Sequence, residues 1–447
     1  VSDSPTDRNP ETPATRTGLQ ADVIVIGAGL SGSAVARALS AGQGPAHSVI
    51  VVDRDIPASA EASSHGSARI FRYSYPDPLY TSLVVESRKG WDDLEQQTGR
   101  RLITPSGSLD FGTVRDPAAL ARVLSDAGVE HELLTVSEAS DRWPGIVFDT
   151  TGDGDDSTAS SPVLWHPGAG VIDAESTVHA QLDLARRTGD TLVLDHWEAA
   201  SVRRRTGAAG YTVTSTTGDV LEAGQVVIAA GGWVADITAA ADLPSAFLHR
   251  LPVPRVSQEN AYHFPYRDSR DCGRTPEDAG TTWPTFIQKS RDTRVYSLPG
   301  GRDAGWRGQK IAEYNAGRKM RSASLQDGRI DPENRRRMTG YVTRHLPGLV
   351  PEPYAETTCL FTNLPGENFL IDRADGITVV SPCSGHGAKF APLIGELAAG
   401  LVTGTGTVPD LFRVPGHTPG HTPGHTPRHT ADGTTADTVA DTPAHHS

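Results

Sequence analysis

Gly27, Gly29 and Gly32 stand at G-x-G-x-x-G spacing, and Asp53 closes the next apolar run. Residue types in this order can hold the pyrophosphate and ribose of a dinucleotide. Gly27 permits a tight turn. Gly29 lets a pyrophosphate approach the backbone, where a Cβ would collide with it, and Gly32 lets a helix pack closely on a strand. The helix N-terminus then offers free N–H groups and a dipole that favours negative charge. Asp53 is placed to accept hydrogen bonds from a ribose. Two further stretches hold reactive types. His65, Arg69 and Arg72 lie close together, and read as a helix, Ser67 to Tyr73 puts the two arginines on one face, with His65 one turn earlier. Gly385-His386-Gly387, followed by Lys389, forms a tight loop whose N–H groups face whatever lies at the end of the preceding strand.

The elements that must position these residues follow from the apolar pattern. Val23 to Ile26 and Ser48 to Val52 read as buried strands, and Ser33 to Ala41 as the helix between them. Leu79 to Thr98 reads as an amphipathic helix, Leu102 to Phe111 as strand and Pro117 to Ala127 as helix. Residues 149–162 read as a polar surface loop. Gly170 to Gly189 is turn then helix; Thr191 to Asp195, Tyr211 to Ser215 and Gln225 to Ala229 are strands. The last runs into Ala230-Gly231-Gly232-Trp233, an edge whose backbone can pass close to a flat group. Ile377 to Val380 is a strand and Lys389 to Leu401 a helix. The dinucleotide pattern is therefore interrupted, with pieces near both ends and in the middle. The expected fold is mixed α/β: a discontinuous Rossmann-like nucleotide-binding domain over 20–105, 165–242 and 355–405, and an inserted sheet-based substrate domain over 106–164 and 243–354.

Composition bounds the function. A chain of 447 residues can bury a sizeable core. The net charge of -13, with no long basic run, argues against nucleic acid, and no apolar stretch approaches the ~20 residues of a membrane span. Residues 1–19 lack an apolar segment and read as a disordered arm, not a secretory signal; residues 406–447, with repeated Pro-Gly-His-Thr, read as a disordered tail rather than a metal site. Cys272, Cys359 and Cys383 are too few for a disulfide framework, which fits a reducing, cytoplasmic setting.

SSHGSARIFRYSY (63–75), RWPGI (142–146), GVIDAE (170–175), AAGGW (229–233), the Cys359 region and SGHGAKF (384–390) together resemble the monomeric sarcosine oxidase and N-methyltryptophan oxidase family, within the D-amino-acid-oxidase-like flavoproteins. The similarity runs in order from about residue 20 to 405. It implies a monomeric FAD-dependent amine oxidase. A secondary or tertiary amine loses a hydride equivalent to flavin N5, the imine hydrolyses, and O2 is reduced to H2O2. FAD is implied to be covalent, through its 8-methyl carbon, at Cys359. The resemblance further implies that Arg72 and Lys389 clamp a substrate carboxylate and that Arg69 lies close to the flavin ring. His65 supports flavin attachment and site electrostatics, Lys310 promotes oxygen reduction, and Tyr296 is an active-site tyrosine. Gly385, His386, Gly387 and Lys389 suit the negative charge of a reduced flavin.

The chain also departs from the family pattern. Phe361 stands where the family has tyrosine, Tyr314 where it has a pocket histidine, and Ala68 where it has threonine beside Arg69. Two of these changes remove a polar group, so sarcosine itself is not the expected substrate. An N-methyl or cyclic amino acid is the leading class. A biosynthetic oxidase that desaturates a cyclic imine or amine is the alternative, and a flavin-binding protein without turnover is a third reading, which Arg72, Lys310 and Lys389 argue against.

Overall fold

The structure is a computed structural model that describes residues 18–41, 47–148, 161–278 and 283–417. Nearly all of the expected arm, most of the polar loop at 149–162 and most of the tail lie outside the described residues.

The first sheet is built around Leu19–Ile26, with Val49–Val52 and then Thr191–Leu194 parallel to it on one side and Val220–Ile228 parallel on the other. Val23 and Val25 pack into one core, while Ile24 and Ile26 pack into another on the opposite face. Burial on both faces explains the unbroken β-branched run. The outer edge of Val220–Ile228 is shared. Its first half pairs antiparallel with Tyr211–Ser215, and its second half pairs parallel with Ile377–Ser381, which carries Leu370–Ala374 outside it. Strands from residues 19 to 381 thus meet in one sheet, as the interrupted pattern predicted. Helices Leu30–Ala41, Ala174–Thr188 and Ala391–Thr403 cover one face. The first begins three residues before the expected Ser33, so Gly32 sits in its opening turn.

The second sheet has nine strands, with Arg255–Pro265, Gly308–Glu313, Arg294–Pro299, Thr285–Lys289 and Ser108–Phe111 in neighbouring order. Ala355–Asn363 pairs antiparallel with Arg255–Pro265 along nine residues, so the strand that carries Cys359 belongs to this sheet. The segment 355–405 is therefore divided between the two sheets. The helix Pro332–His345 packs against this second sheet through Met338, Tyr341 and Val342.

Two local expectations change. Ser67 to Tyr73 is not helical: Arg69–Phe71 is a strand, paired with Gly170–Ile172 in a three-stranded sheet that Ile103–Pro105 completes. A helix this short gains few hydrogen bonds for the entropy of nucleation, whereas Ile70 and Phe71 fill a waiting strand edge. Leu102 to Phe111 is two strands, Ile103–Pro105 and Ser108–Phe111, in different sheets. Gly107 breaks it with φ +62°, and the Trp165 ring occupies the space of its missing Cβ. Among the described residues no helix is long and apolar enough to cross a membrane.

A Cβ on Gly32 would lie 1.8 Å from the carbonyl oxygen of Gly27, a backbone atom with no freedom to move aside. Gly32→Ala is expected to lower the urea midpoint of the apoprotein by the equivalent of about 1–3 kcal/mol, the usual cost of overpacking. An unshifted midpoint would show that the helix does not rest on this turn.

Candidate active site

The glycine turn lies where the first strand ends. Gly27 has φ +106°, and a Cβ there would come within 2.5 Å of the Ala229 carbonyl oxygen. A Cβ on Gly29 would meet the Ser64 hydroxyl at 2.9 Å, and that hydroxyl accepts the Leu30 N–H at 3.0 Å. Asp53 ends Val49–Val52 and turns back to the turn: its carboxylate accepts the Ala28 N–H at 2.6 Å and the Asp55 N–H at 3.1 Å. Burial pushes its carboxyl up, and these two N–H groups hold it down. Gly27, Gly29, Asp53 and Ala230 to Trp233 line one cavity, with the Arg54 guanidinium 4.6 Å over the Trp233 ring.

Leu30, Ser31, Ser63, Ser64, Pro382 and Cys383 line both this cavity and a second one of about 460 Å³. The two form one elongated slot, from Asp53 to the second sheet. Three sheets supply the walls of the larger cavity. Arg69 comes from the three-stranded sheet; Tyr296, Lys310 and Cys359 come from the second sheet; and Gly385 to Lys389 follow a strand of the first.

Arg69 is rigidly held. It donates to the carbonyl oxygens of Ala68, Ser63 and His65 at 2.8–2.9 Å, and its Nη2 lies 3.9 Å from the Cys359 Sγ. Lys310 is buried, with its Nζ 3.4 Å from the Ala68 carbonyl oxygen. Burial and Arg69 push its ammonium down to about 8, against Cys359 and Asp303. Burial raises the Tyr296 hydroxyl, which stays protonated. His65 lines neither cavity. Its Nδ1 lies 2.8 Å from the Ala62 carbonyl oxygen, and burial with Arg69 and Lys310 pushes the ring down to about 4. His65 is therefore neutral at neutral pH, and the cation beside Cys359 is Arg69.

Lys389 lies in the 3-10 turn Gly387–Phe390 that leads into Ala391–Thr403, so the expected helix starts later than Lys389. Its Nζ donates to the Tyr75 hydroxyl at 3.0 Å and to the His386 carbonyl oxygen at 2.7 Å. His386 is neutral, pushed down to about 3 by burial and Lys389. Its Nε2 is 2.9 Å from the Glu367 carbonyl oxygen, which can only accept, so Nε2 carries the proton and Nδ1 accepts from the Tyr75 hydroxyl at 3.0 Å. The Arg72 guanidinium lies 4.8 Å from the Tyr75 ring and donates to Ser74. Tyr75 thus ties together Arg72, His386 and Lys389. Tyr314 and Phe361 pack where a Cβ on Gly385 would stand, at 3.2 and 2.8 Å.

Several residues that shape this site escaped the sequence reading. Ser87 and Trp91, on the helix Pro78–Thr98, both donate to the Lys389 carbonyl oxygen at 2.8 Å. Asp110 is buried in an ion pair with Arg115 and bonded to Ser74 at 2.5 Å. A charge inside the apolar run SLDF was the available signal. Lys289, which ends Thr285–Lys289, lines the cavity with its Nζ 5.5 Å over the Tyr314 ring, and nothing local marked it.

The sequence family of FAD dependent oxidoreductases, the DAO family, matches residues 22–401. Monomeric sarcosine oxidase from Streptomyces avermitilis is 32% identical over 401 residues, covering 87% of this chain and 95% of that protein. The chain belongs to the DAO family of FAD-dependent oxidoreductases. N-methyl-L-tryptophan oxidase from Yersinia pestis is 27% identical, covering 85% of this chain and 94% of its own length. Among solved structures, NikD, an unusual amino acid oxidase essential for nikkomycin biosynthesis, superposes with a TM-score of 0.72 at 21% identity, over 88% of this chain and 96% of its own. The chain is accordingly a sarcosine-oxidase-like, FAD-dependent amine oxidase acting on CH–NH bonds. The residues present fit FAD: the slot is continuous from Asp53 to the second sheet, Gly27 and Gly29 line its first part, and cations meet at the far end.

Buried neutral rings set a pH limit on stability: His65 and His386 in the site, and His166 and His263, pushed down to about 4 and about 3, elsewhere. His65 and His386 are neutral when folded, with pKa values of about 4 and about 3, against 6.5 in the unfolded chain. Above pH 6.5 both states are neutral and the folded state keeps its full stability. As the pH falls below 6.5 the unfolded state takes up protons that the folded state refuses, so stability is lost, at up to roughly 1.4 kcal/mol per pH unit for each ring, until the folded values are reached. The urea midpoint of the apoprotein should therefore fall between pH 6.5 and 4. A flat midpoint across that window would show that these rings take up protons equally in the folded and unfolded chains.

Proposed function

We propose that this protein is a monomeric, cytoplasmic oxidase of a secondary amino acid, N-methyl or cyclic, with FAD attached through its 8-methyl carbon to Cys359, an imine as product and O2 reduced to H2O2. The observation that carries this reading is that Cys359, Arg69 and Lys310 share one cavity with Arg72 and Lys389. Relatives named as sarcosine and N-methyltryptophan oxidases support the substrate class. Three unpaired cysteines suit a reducing compartment.

Gly27, Gly29, Gly32 and Asp53 would hold the pyrophosphate and ribose, and the loop Gly385 to Gly387 would face the flavin. FAD held there would supply the electron sink for oxidation of the carbon beside the substrate nitrogen, with O2 as the final acceptor. The protein's share is to bind, orient and charge. Arg72 grips a carboxylate with its guanidinium fork, and Lys389 adds a point charge. Tyr75 holds both cations in place, so little freedom is lost when the substrate arrives. The Arg69 guanidinium stands 3.9 Å from the Cys359 sulfur, so a fixed positive charge adjoins the atom that would bond to the flavin. Lys310 brings a buried positive charge to the site where negative charge develops on O2. His65, packed behind Arg69, would position that guanidinium through its carbonyl oxygen.

A peroxide assay over N-methyl and cyclic amino acids tests the activity directly; no peroxide from any of them would overturn it. Acid precipitation should leave the flavin on the pelleted protein, on the peptide that holds Cys359. Flavin released into the supernatant, or found on the Cys383 peptide, would refute the attachment.

Lys310 gives a second outcome. In rapid-mixing absorbance experiments Lys310→Met should slow reoxidation by O2 by at least about tenfold and change flavin reduction by substrate much less. The wild-type reoxidation rate should fall as the pH rises through the lysine's own value, pushed down to about 8, because the charge is present only below it. Equal slowing of both half-reactions would remove Lys310 from the oxygen step.

A further inference from the structure

Along one wall of the large cavity the positive groups exceed what one carboxylate needs. Lys389 and Arg72 share the Tyr75 ring, at 5.5 and 4.8 Å from its centre. Beyond them stands Lys289, on a different strand and over a different ring, Tyr314, at 5.5 Å. The carboxylates nearby have hydrogen-bond partners, but only Asp110 is ion-paired; Glu367 and Glu259 are bonded to neutral groups. Asp110 is saturated by Arg115 and Ser74, Glu367 accepts from Asn315 at 2.9 Å, and Glu259 accepts the Gly317 N–H at 2.7 Å. Among the described residues neither Arg72 nor Lys289 forms an ion pair, and the Lys289 ammonium has no hydrogen-bond acceptor. Two guanidinium groups nearby raise the cost of this half-buried ammonium, and Glu367 and Asp110 offset it only in part, without forming an ion pair with it. Burial, Arg115 and Arg72 push Lys289 down from its ordinary value, against Glu367 and Asp110.

We propose that Lys289 receives a second carboxylate of the substrate, so that the compound oxidised here is a secondary amino dicarboxylate. The proposal rests on the amino-acid oxidase reading above and narrows its substrate class. One carboxylate lies between Lys389 and Arg72. The other reaches the Lys289 side of the cavity, where Arg72, with N–H groups on more than one edge, adds to the attraction. The cavity of about 460 Å³ has to hold the flavin ring as well, so the second acid group comes on a short chain. Lys289 is then a specificity-determining residue: it rewards the diacid with a charge-assisted contact and leaves a neutral side chain facing a bare cation.

The test uses three thioethers, in which sulfur replaces the oxidisable amine nitrogen: methylthioacetate, thiodiglycolate and 2-(methylthio)succinate. The first has one carboxylate. The others add a second, on the sulfur substituent or on the carbon chain. Each is titrated into the holoenzyme while the flavin absorbance is followed. At least one diacid should bind about tenfold tighter than methylthioacetate; Lys289→Met should bring that diacid to the affinity of the monoacid, and Lys289→Arg should keep most of the difference. Diacids that bind no tighter than the monoacid overturn the proposal while leaving the oxidase reading intact. So does a Lys289→Met variant that weakens monoacid and diacid by the same factor. If no thioether perturbs the flavin, the amino-acid reading falls together with the proposal. The wild-type comparison needs no variant, so a folding defect in Lys289→Met does not protect the proposal from refutation.

Discussion

A buried ammonium needs acceptors for its protons, and Lys389 finds two of them by drawing distant segments together. Its Nζ bonds the Tyr75 hydroxyl, at the end of the arginine-bearing segment, and the carbonyl oxygen of its own loop. Its backbone carbonyl is fixed by Ser87 and Trp91 on the long helix Pro78–Thr98. The hydroxyl that accepts from Lys389 donates to His386, which is stacked on Phe369 with ring centres 4.9 Å apart. The loop after Ile377–Ser381, the segment after Arg69–Phe71 and the helix between are thus locked by one set of hydrogen bonds. The cost of burying the charge is what makes the arrangement specific, because any displacement leaves a donor unsatisfied.

The second constraint is the meeting of three sheets. The glycine turn needs the parallel sheet, since its N–H groups are aimed by the strand Leu19–Ile26 and the helix that follows. Cys359 and Lys310 need the other large sheet, where they sit on strands that flank Arg255–Pro265. Arg69 needs the small sheet, whose partner strand Gly170–Ile172 leads directly into the helix Ala174–Thr188 of the nucleotide domain. Each reactive group therefore stands on a rigid element, and the slot between them is where the elements fail to fill space.

Neutral histidines and cations without carboxylate partners divide the electrostatics. His65 and His386 serve as hydrogen-bonding spacers and carry no charge at neutral pH. The positive charge comes from Arg69, Arg72, Lys289, Lys310 and Lys389, in an otherwise acidic chain of net charge -13. Anionic groups are attracted to this slot by its local field, against the sign of the whole molecule.

The nucleotide half was legible in the sequence because its determinants are local. A β-branched run, three glycines at fixed spacing, a helix and a terminal acid lie within 31 residues from Val23 to Asp53, and each constrains its neighbour through backbone geometry alone. The motifs around Arg69, Cys359 and Lys389 were legible as a resemblance. What they touch was not. Arg69 lies beside a thiol 290 positions away, and Lys389 beside a hydroxyl 314 positions away. The strand Arg69–Phe71 was misread as helix because its partner, Gly170–Ile172, is a hundred residues on, and a strand edge is a tertiary object that local propensity does not contain. Tyr75, Trp91, Asp110 and Lys289 belong to the same class: ordinary residues in ordinary elements, given their roles only by what packs against them. The sequence by itself determined the nucleotide-binding unit and the family. The tertiary structure decided which charges are paired, which rings are neutral and which cations face the cavity, because burial and charge separation are properties of three-dimensional distance.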